Sequence, residues 1–159
     1  MNRKRVLISG AGIAGLTFAI QAKQHGFEPL VIERAPAPRT EGYMMDFFGT
    51  GWDVAERMNL TERLRAVRYP IDAMEFVNGA GKPWLHVPIS RLRRALGGQY
   101  IYLRRQDLER ILAERAAELG VALRYGMSIA TIVDRGDGVL VQFEDRSDGG
   151  GKLGLARRN

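Results

Sequence analysis

Three glycines at fixed spacing, Gly10, Gly12 and Gly15, follow directly on the apolar run Val6–Ser9. So short an apolar run, closed by glycine, reads as a strand buried on both faces. From Ile13 to His25 the apolar residues Leu16, Ala19 and Ile20 recur at helical spacing, with Lys23 and Gln24 on the outside. Gly26 stands where a helix C-terminus takes glycine. Pro29–Glu33 reads as a second buried strand. A strand, a helix and a strand within about 30 residues imply a parallel pair with a right-handed connection. This unit commits the chain to an α/β fold.

The segment Gly10-Ala11-Gly12-Ile13-Ala14-Gly15 is G-x-G-x-x-G. That string is weak evidence alone. Here it follows a strand, opens a helix and has an acid at the end of the next strand. Gly10 permits the tight turn, Gly12 lets backbone approach a pyrophosphate, and Gly15 lets helix and strand pack closely. The N–H groups of the first helical turn, including those of Ile13 and Ala14, then face the phosphates. The helix dipole adds only about 0.3–1 kcal/mol per charge, so backbone hydrogen bonds must supply most of the grip. Glu33 stands 18 residues beyond Gly15. An acid there accepts hydrogen bonds from ribose hydroxyls and repels a 2′-phosphate, which disfavours NADP at this site. The competing reading makes Glu33 a solvated strand-end acid and the glycines mere packing devices.

Composition narrows the alternatives. The 159 residues include no cysteine, which excludes disulfides, thiolate metal sites and a cysteine nucleophile. No metal site is expected, and a reducing cytoplasm is the expected compartment. The net charge is +6, yet basic and acidic residues mostly interleave, as in Arg104-Arg105-Gln106-Asp107-Leu108-Glu109-Arg110. No basic stripe of the nucleic-acid-binding kind is evident, so no nucleic-acid partner is expected. Met1–Arg5 before an apolar run resembles a signal peptide, but the glycines and the polar helix end Gln21–Gln24 argue against one. No stretch reaches the roughly 20 apolar residues of a membrane span, and no membrane partner is expected.

Beyond Glu33, Ala35–Gly51 reads as irregular and Trp52–Arg68 as one helix with Val54, Met58, Leu60, Leu64 and Val67 inward. Asn78-Gly79-Ala80-Gly81 between Met74–Val77 and Trp84–Val87 signals a hairpin. Gln106–Leu119 is amphipathic and stopped by Gly120; Val121–Tyr125 reads as a third buried strand. Ser128–Asp134 and Val139–Glu144 alternate about an Asp137-Gly138 turn. His25 and His86 are isolated and take no assigned role.

These residues resemble the class A flavoprotein aromatic hydroxylases, the FAD-dependent monooxygenases. The resemblance is carried by Arg5–Leu16 with Glu33-Arg34, by Gly42-Tyr43-Met44-Met45-Asp46 with Gly49, and by Arg105-Gln106-Asp107-Leu108 with Leu112. The last matches the family's R-x-x-L-x-x-x-L helix start, whose arginine reaches the cofactor. What it implies is a Rossmann-like FAD-binding parallel sheet with a β-hairpin insertion. Residues 1–145 would form a partial FAD-binding domain, with inserted loop, helix and hairpin at about 35–104 contributing to the substrate side. FAD would be the cofactor, held by Gly10, Gly12, Ile13, Ala14, Gly15, Glu33, Arg34 and Arg105. NAD(P)H would be the reductant, and one oxygen atom would enter a small organic substrate, often aromatic. The cofactor carries the hard step, so no catalytic side chain is assigned.

The residues themselves leave choices open. An arginine at a helix N-terminus opposes the dipole, so Arg105 needs an anion: a cofactor oxygen, or Asp107 or Glu109 in a plain ion pair, a role that suits Arg104 better. Arg34 either flanks the adenine or is solvated. Asp46 lies near the flavin ring or is structural. Met44-Met45 and Phe47-Phe48 line an apolar pocket or form core. An NAD-linked dehydrogenase fragment and a non-catalytic nucleotide-binding or interaction module are the alternatives. From Arg146 the chain leaves the family pattern; 146–159, with Gly149-Gly150-Gly151, reads as an irregular tail. A product truncated by a frameshift near Arg146 is the expectation. The strand at Val6–Ser9 then keeps one unpaired apolar edge, which would make the chain poorly soluble or be covered by association of copies of the chain.

Overall fold

The computed structural model describes residues 4–145 and 153–156. The chain divides into two units: residues 1–40 with 112–159, and residues 41–111.

The first unit contains the βαβ element. Strand β1 (Arg5–Ser9), helix α1 (Ile13–Gln24) and strand β2 (Glu28–Glu33) follow one another as the apolar pattern requires. β1 and β2 pair in parallel, Leu7 opposite Leu30. Leu16, Ala19 and Ile20 of α1 are fully buried, as are Val31 and Ile32 of β2. Each large aliphatic among them contributes roughly 1.5–3 kcal/mol by leaving water. Gly26, at φ +84°, reverses the chain after α1.

The parallel sheet gains a third strand, Ala122–Tyr125, and its order places β2 in the centre with β1 at an edge. A second, antiparallel sheet covers it. Strands Met127–Asp134 and Val139–Asp145 form a hairpin in which Gly136 takes φ +80° and Arg135 N–H donates to Gly138 C=O at 2.9 Å. The tight position is thus Gly136, one residue before the expected Asp137-Gly138 pair. Val141 and Phe143 pack on Ile32, with Leu7, Leu30, Met127 and Ile129 around them. Leu153–Ala156 adds a strand antiparallel to Val139–Asp145. These four residues are therefore not irregular; the remainder of 146–159 lies outside the described residues.

In the second unit the sequence reading needs three corrections. Ala35–Gly51 is not irregular throughout: β3 (Met44–Phe48) forms there. Trp52–Arg68 is not one helix but two, α2 (Thr50–Arg57) and α3 (Thr61–Ala66). Asn59, the one non-glycine residue with positive φ among those described (+57°), breaks them apart. Trp52 and Ala55 are buried there with Met58, Leu60 and Leu64, while Val54 and Val67 are only partly covered. The expected hairpin is present as β4 (Ala73–Val77) and β5 (Pro83–Pro88), paired antiparallel. Asn78 Oδ1 closes its turn by accepting the N–H groups of Ala80 and Lys82, each at 3.0 Å. The third correction lies beyond it, where α4 (Ile89–Ala95) and β6 (Tyr100–Arg104) were not anticipated. β6 pairs antiparallel with β3, Asp46 opposite Tyr102. Helix α5 (Arg105–Glu118) follows, then Gly120 at φ +70° and the third parallel strand, β7 (Ala122–Tyr125). The antiparallel strands are accordingly β8 (Met127–Asp134), β9 (Val139–Asp145) and β10 (Leu153–Ala156).

Candidate functional site: a glycine loop and a strand-end carboxylate

The first strand ends in a turn that only glycine makes without strain. Gly10 has φ +110°, and its N–H donates to Ile32 C=O at 2.7 Å, extending the β1–β2 pairing into the loop. A Cβ on Gly15 would overlap the carbonyl oxygen of Gly10. The third glycine is therefore required by the close passage of α1 over the loop. Gly12 is the N-cap of α1, in extended conformation (φ −79°, ψ −177°).

The first intrahelical bond runs from Leu16 N–H to Gly12 C=O at 3.0 Å. The N–H groups of Ile13, Ala14 and Gly15 precede it and have no helical carbonyl to reach. No side chain caps this helix, and its first turn holds no acid. An uncapped N-terminus framed by glycines suits an external anion, since N–H groups and dipole both favour negative charge there.

Glu33, the last residue of β2, points its carboxylate back at the loop. Oε2 accepts Ala11 N–H and Oε1 accepts Ala35 N–H, both at 2.9 Å. Partial burial pushes its pKa upward. The Ala35 and Ala11 N–H groups, with the Arg39 and Arg34 charges, outweigh that and hold the carboxyl below its ordinary value. Glu33 is thus ionised and anchored, not a freely solvated strand-end acid. Arg34 is exposed and acts on Glu33 through its charge.

Gly10, Gly12, Ile13, Ala14, Gly15, Glu33 and Arg34 share the first unit; Arg105 belongs to the second. There, Arg105 N–H donates to Tyr43 C=O at 3.0 Å, and the guanidinium lies 5.6 Å from the centroid of the Tyr43 ring. Arg105 Nη2 pairs with Glu109 Oε1 at 3.0 Å. The intrahelical ion pair considered for Arg105 is therefore formed, while Arg104 reaches Asp107 only at 4.0 Å. Asp46 accepts the hydroxyl proton of Tyr100 in a hydrogen bond across the β3–β6 pair. Burial, followed by the bond to Asp46 and its charge, pushes the Tyr100 pKa far up. Phe47 is buried against Trp52, at 6.4 Å between rings, whereas Phe48 is half exposed beside Tyr100. The aromatic pair is split between core and surface by strand alternation.

The sequence reading missed Tyr100. The run Tyr100–Leu103, aromatic and β-branched residues just before a helix, was a strand signal available for it.

Residues 3–153 match the family described as FAD binding domain. The chain belongs to that family. The match passes beyond Arg146, where the sequence reading put the end of the pattern. Among similar proteins, the FAD-dependent monooxygenase asL4 of Sarocladium schorii is 31% identical over 152 residues, covering 92% of this chain and 35% of its own length. The 3-amino-4-hydroxybenzoate 2-monooxygenase of Streptomyces cremeus is 31% identical over 143 residues, 89% of this chain and 36% of its own. Among solved structures, the tetracycline destructase Tet(51) superposes with a TM-score of 0.71 at 25% identity, covering 97% of this chain and 37% of that one. The flavin-dependent monooxygenase PieE, crystallised with FAD and substrate, shares the fold with a TM-score of 0.77 at 23% identity, covering 98% and 29%. This FAD-binding domain chain thus spans about a third of the length of these relatives.

Proposed function

We propose that the chain is the FAD-binding part of an NAD(P)H-dependent flavin monooxygenase acting on a small organic substrate of aromatic type, in the cytoplasm. The observation that carries this is the glycine loop with its anchored carboxylate, set within a chain of the FAD-binding domain family. The residues present fit the cofactor. The uncapped α1 N-terminus offers the N–H groups of Gly12, Ile13, Ala14 and Gly15 to a pyrophosphate. Glu33 has two oxygens with about four lone-pair sites, of which backbone takes two, so capacity for ribose hydroxyls remains. Arg34 flanks the adenine side, and Arg105, steadied by Tyr43 and Glu109, supplies positive charge for a pyrophosphate or ribityl oxygen.

Bound FAD supplies the redox and oxygen-transfer chemistry. The chain's own work is to bind and orient it, and no side chain here is assigned a proton-transfer step. Residues 1–145 form the cofactor-binding part, with 35–104 inserted toward the substrate side. Because the chain spans only about a third of its relatives, we assign turnover to the longer architecture and cofactor capture to this part. Copies of the chain associate through the outer edge of β1.

The test is the visible spectrum of the freshly purified chain. Flavin absorbance that is released on denaturation supports the reading, and bleaching on adding NADPH supports the reductant. Colourless protein that takes up no added FAD, or that binds NAD instead, overturns it. A non-catalytic nucleotide-binding or interaction module, the second reading favoured by the partial span, is met by stoichiometric co-purification of a partner chain.

A further inference from the structure

Within the first unit a continuous line of hydrogen bonds joins the C-terminal ends of all three parallel strands. Following β7, Gly126 N–H donates to Ala35 C=O at 2.9 Å. Ala35 N–H donates to Glu33 Oε1 at the end of β2, also at 2.9 Å. Glu33 Oε2 accepts Ala11 N–H, in the loop that follows β1, again at 2.9 Å. One side chain stands at the middle of this line.

We propose that Glu33 is a positioning residue that holds the Gly10–Gly15 loop in its phosphate-binding shape before any dinucleotide arrives. This rests on the reading of that loop as a dinucleotide site, and it adds a role distinct from ribose contact. The loop is Gly-Ala-Gly-Ile-Ala-Gly and contains no side chain able to hydrogen-bond. Glycine loses more conformational freedom on ordering than any other residue, so a loop of this composition is costly to fix. Its anchor must come from outside, and the Ala11–Glu33 bond is such an anchor. Fixing the loop in advance removes that cost from the binding step. The role suits a carboxylate. Both of its oxygens accept, and each meets a backbone N–H. A glutamine would present an NH2 group to one of the two donors.

The test is amide hydrogen exchange on the full chain without flavin. In E33A, which removes both acceptors, Ala11 exchange accelerates about tenfold or more relative to the Ile20 amide, deep in α1, the loss expected for a hydrogen bond to a charged acceptor. Ile20 reports any change in global stability. An Ala11 rate that changes no more than that of Ile20 in a folded E33A variant overturns the proposal. Should E33A not fold, the wild-type chain gives the same answer through pH. Corrected for intrinsic rates, Ala11 protection falls as Glu33 is protonated, because Oε2 ceases to be a charged acceptor; Arg34 and Arg39 are the charges facing it. Protection at Ala11 that follows Ile20 down to acid pH overturns it. The two readings fail separately. A chain that binds no FAD but shows the Ala11 response loses its cofactor assignment and keeps the anchor. A flavin-binding chain without the response keeps the cofactor and loses the anchor. Where both hold, E33A slows FAD association, whereas loss of a ribose contact alone speeds its release.

Discussion

Glu33 and Gly15 are the two positions at which a single atom decides whether the loop exists. At Gly15 a methyl group would meet the carbonyl of Gly10, which is backbone and cannot swing aside. G15A should therefore abolish flavin uptake and lower stability by about 1–3 kcal/mol, the usual range for overpacking, read from urea denaturation. At Glu33 the consequence is a pH dependence. Its folded pKa is lowered, so its contribution to stability is fully present above the ordinary glutamate value. It is lost as pH falls through the lower, folded value. Urea midpoints measured from neutral pH down to about pH 3 should fall less steeply in E33Q than in the wild-type chain. Both residues were legible in the sequence, because a motif with fixed spacing encodes them. Glu33's partner Ala11, 22 residues away, was not, since a backbone N–H carries no sequence signature. The Tyr100–Asp46 bond, spanning 54 residues, was hidden for a related reason: it exists only once β3 and β6 pair.

Elements declared themselves where their period was clean. The βαβ unit, the hairpin and α5 were all readable from apolar spacing and glycine stops. β3 was concealed by the prolines and glycines around it, and its antiparallel partner β6 lies far along the chain. The α2–α3 break was concealed because apolar spacing carried on across it. Asn59 turns the chain there with φ +57°, a conformation asparagine tolerates and alanine does not. N59A should cost about 1 kcal/mol, measured as a shift in the urea midpoint, with little change in helical circular dichroism. In the β4–β5 hairpin, Asn78 holds two backbone N–H groups with one oxygen. N78A should loosen this turn, visible as faster exchange of the Ala80 and Lys82 amides, while α1 amides are unaffected.

At the scale of the whole chain, β1 is an edge strand in the parallel sheet, and among the described residues no strand pairs with its outer side. Unpaired N–H and C=O groups along an apolar strand template association. Sedimentation velocity should show concentration-dependent dimers or larger species; a single monomeric species at every concentration would refute association through this edge. No helix among the described residues is long and apolar enough to cross a membrane. The order of the parallel sheet also dictates when it can be completed. β2 must meet β7 with Leu30 opposite Ala122, 92 residues away, whereas the β4–β5 hairpin closes between Val77 and Pro83. Closing the longer loop costs about 2 kcal/mol more in chain entropy. The hairpin therefore forms early in folding. The third parallel strand docks late, after the inserted segment has drawn its own ends together, and refolding is correspondingly slow. The late-docking strand leads directly to Gly126, so the Gly126–Ala35 bond, the outer link of the line that Glu33 centres, is among the last features to assemble.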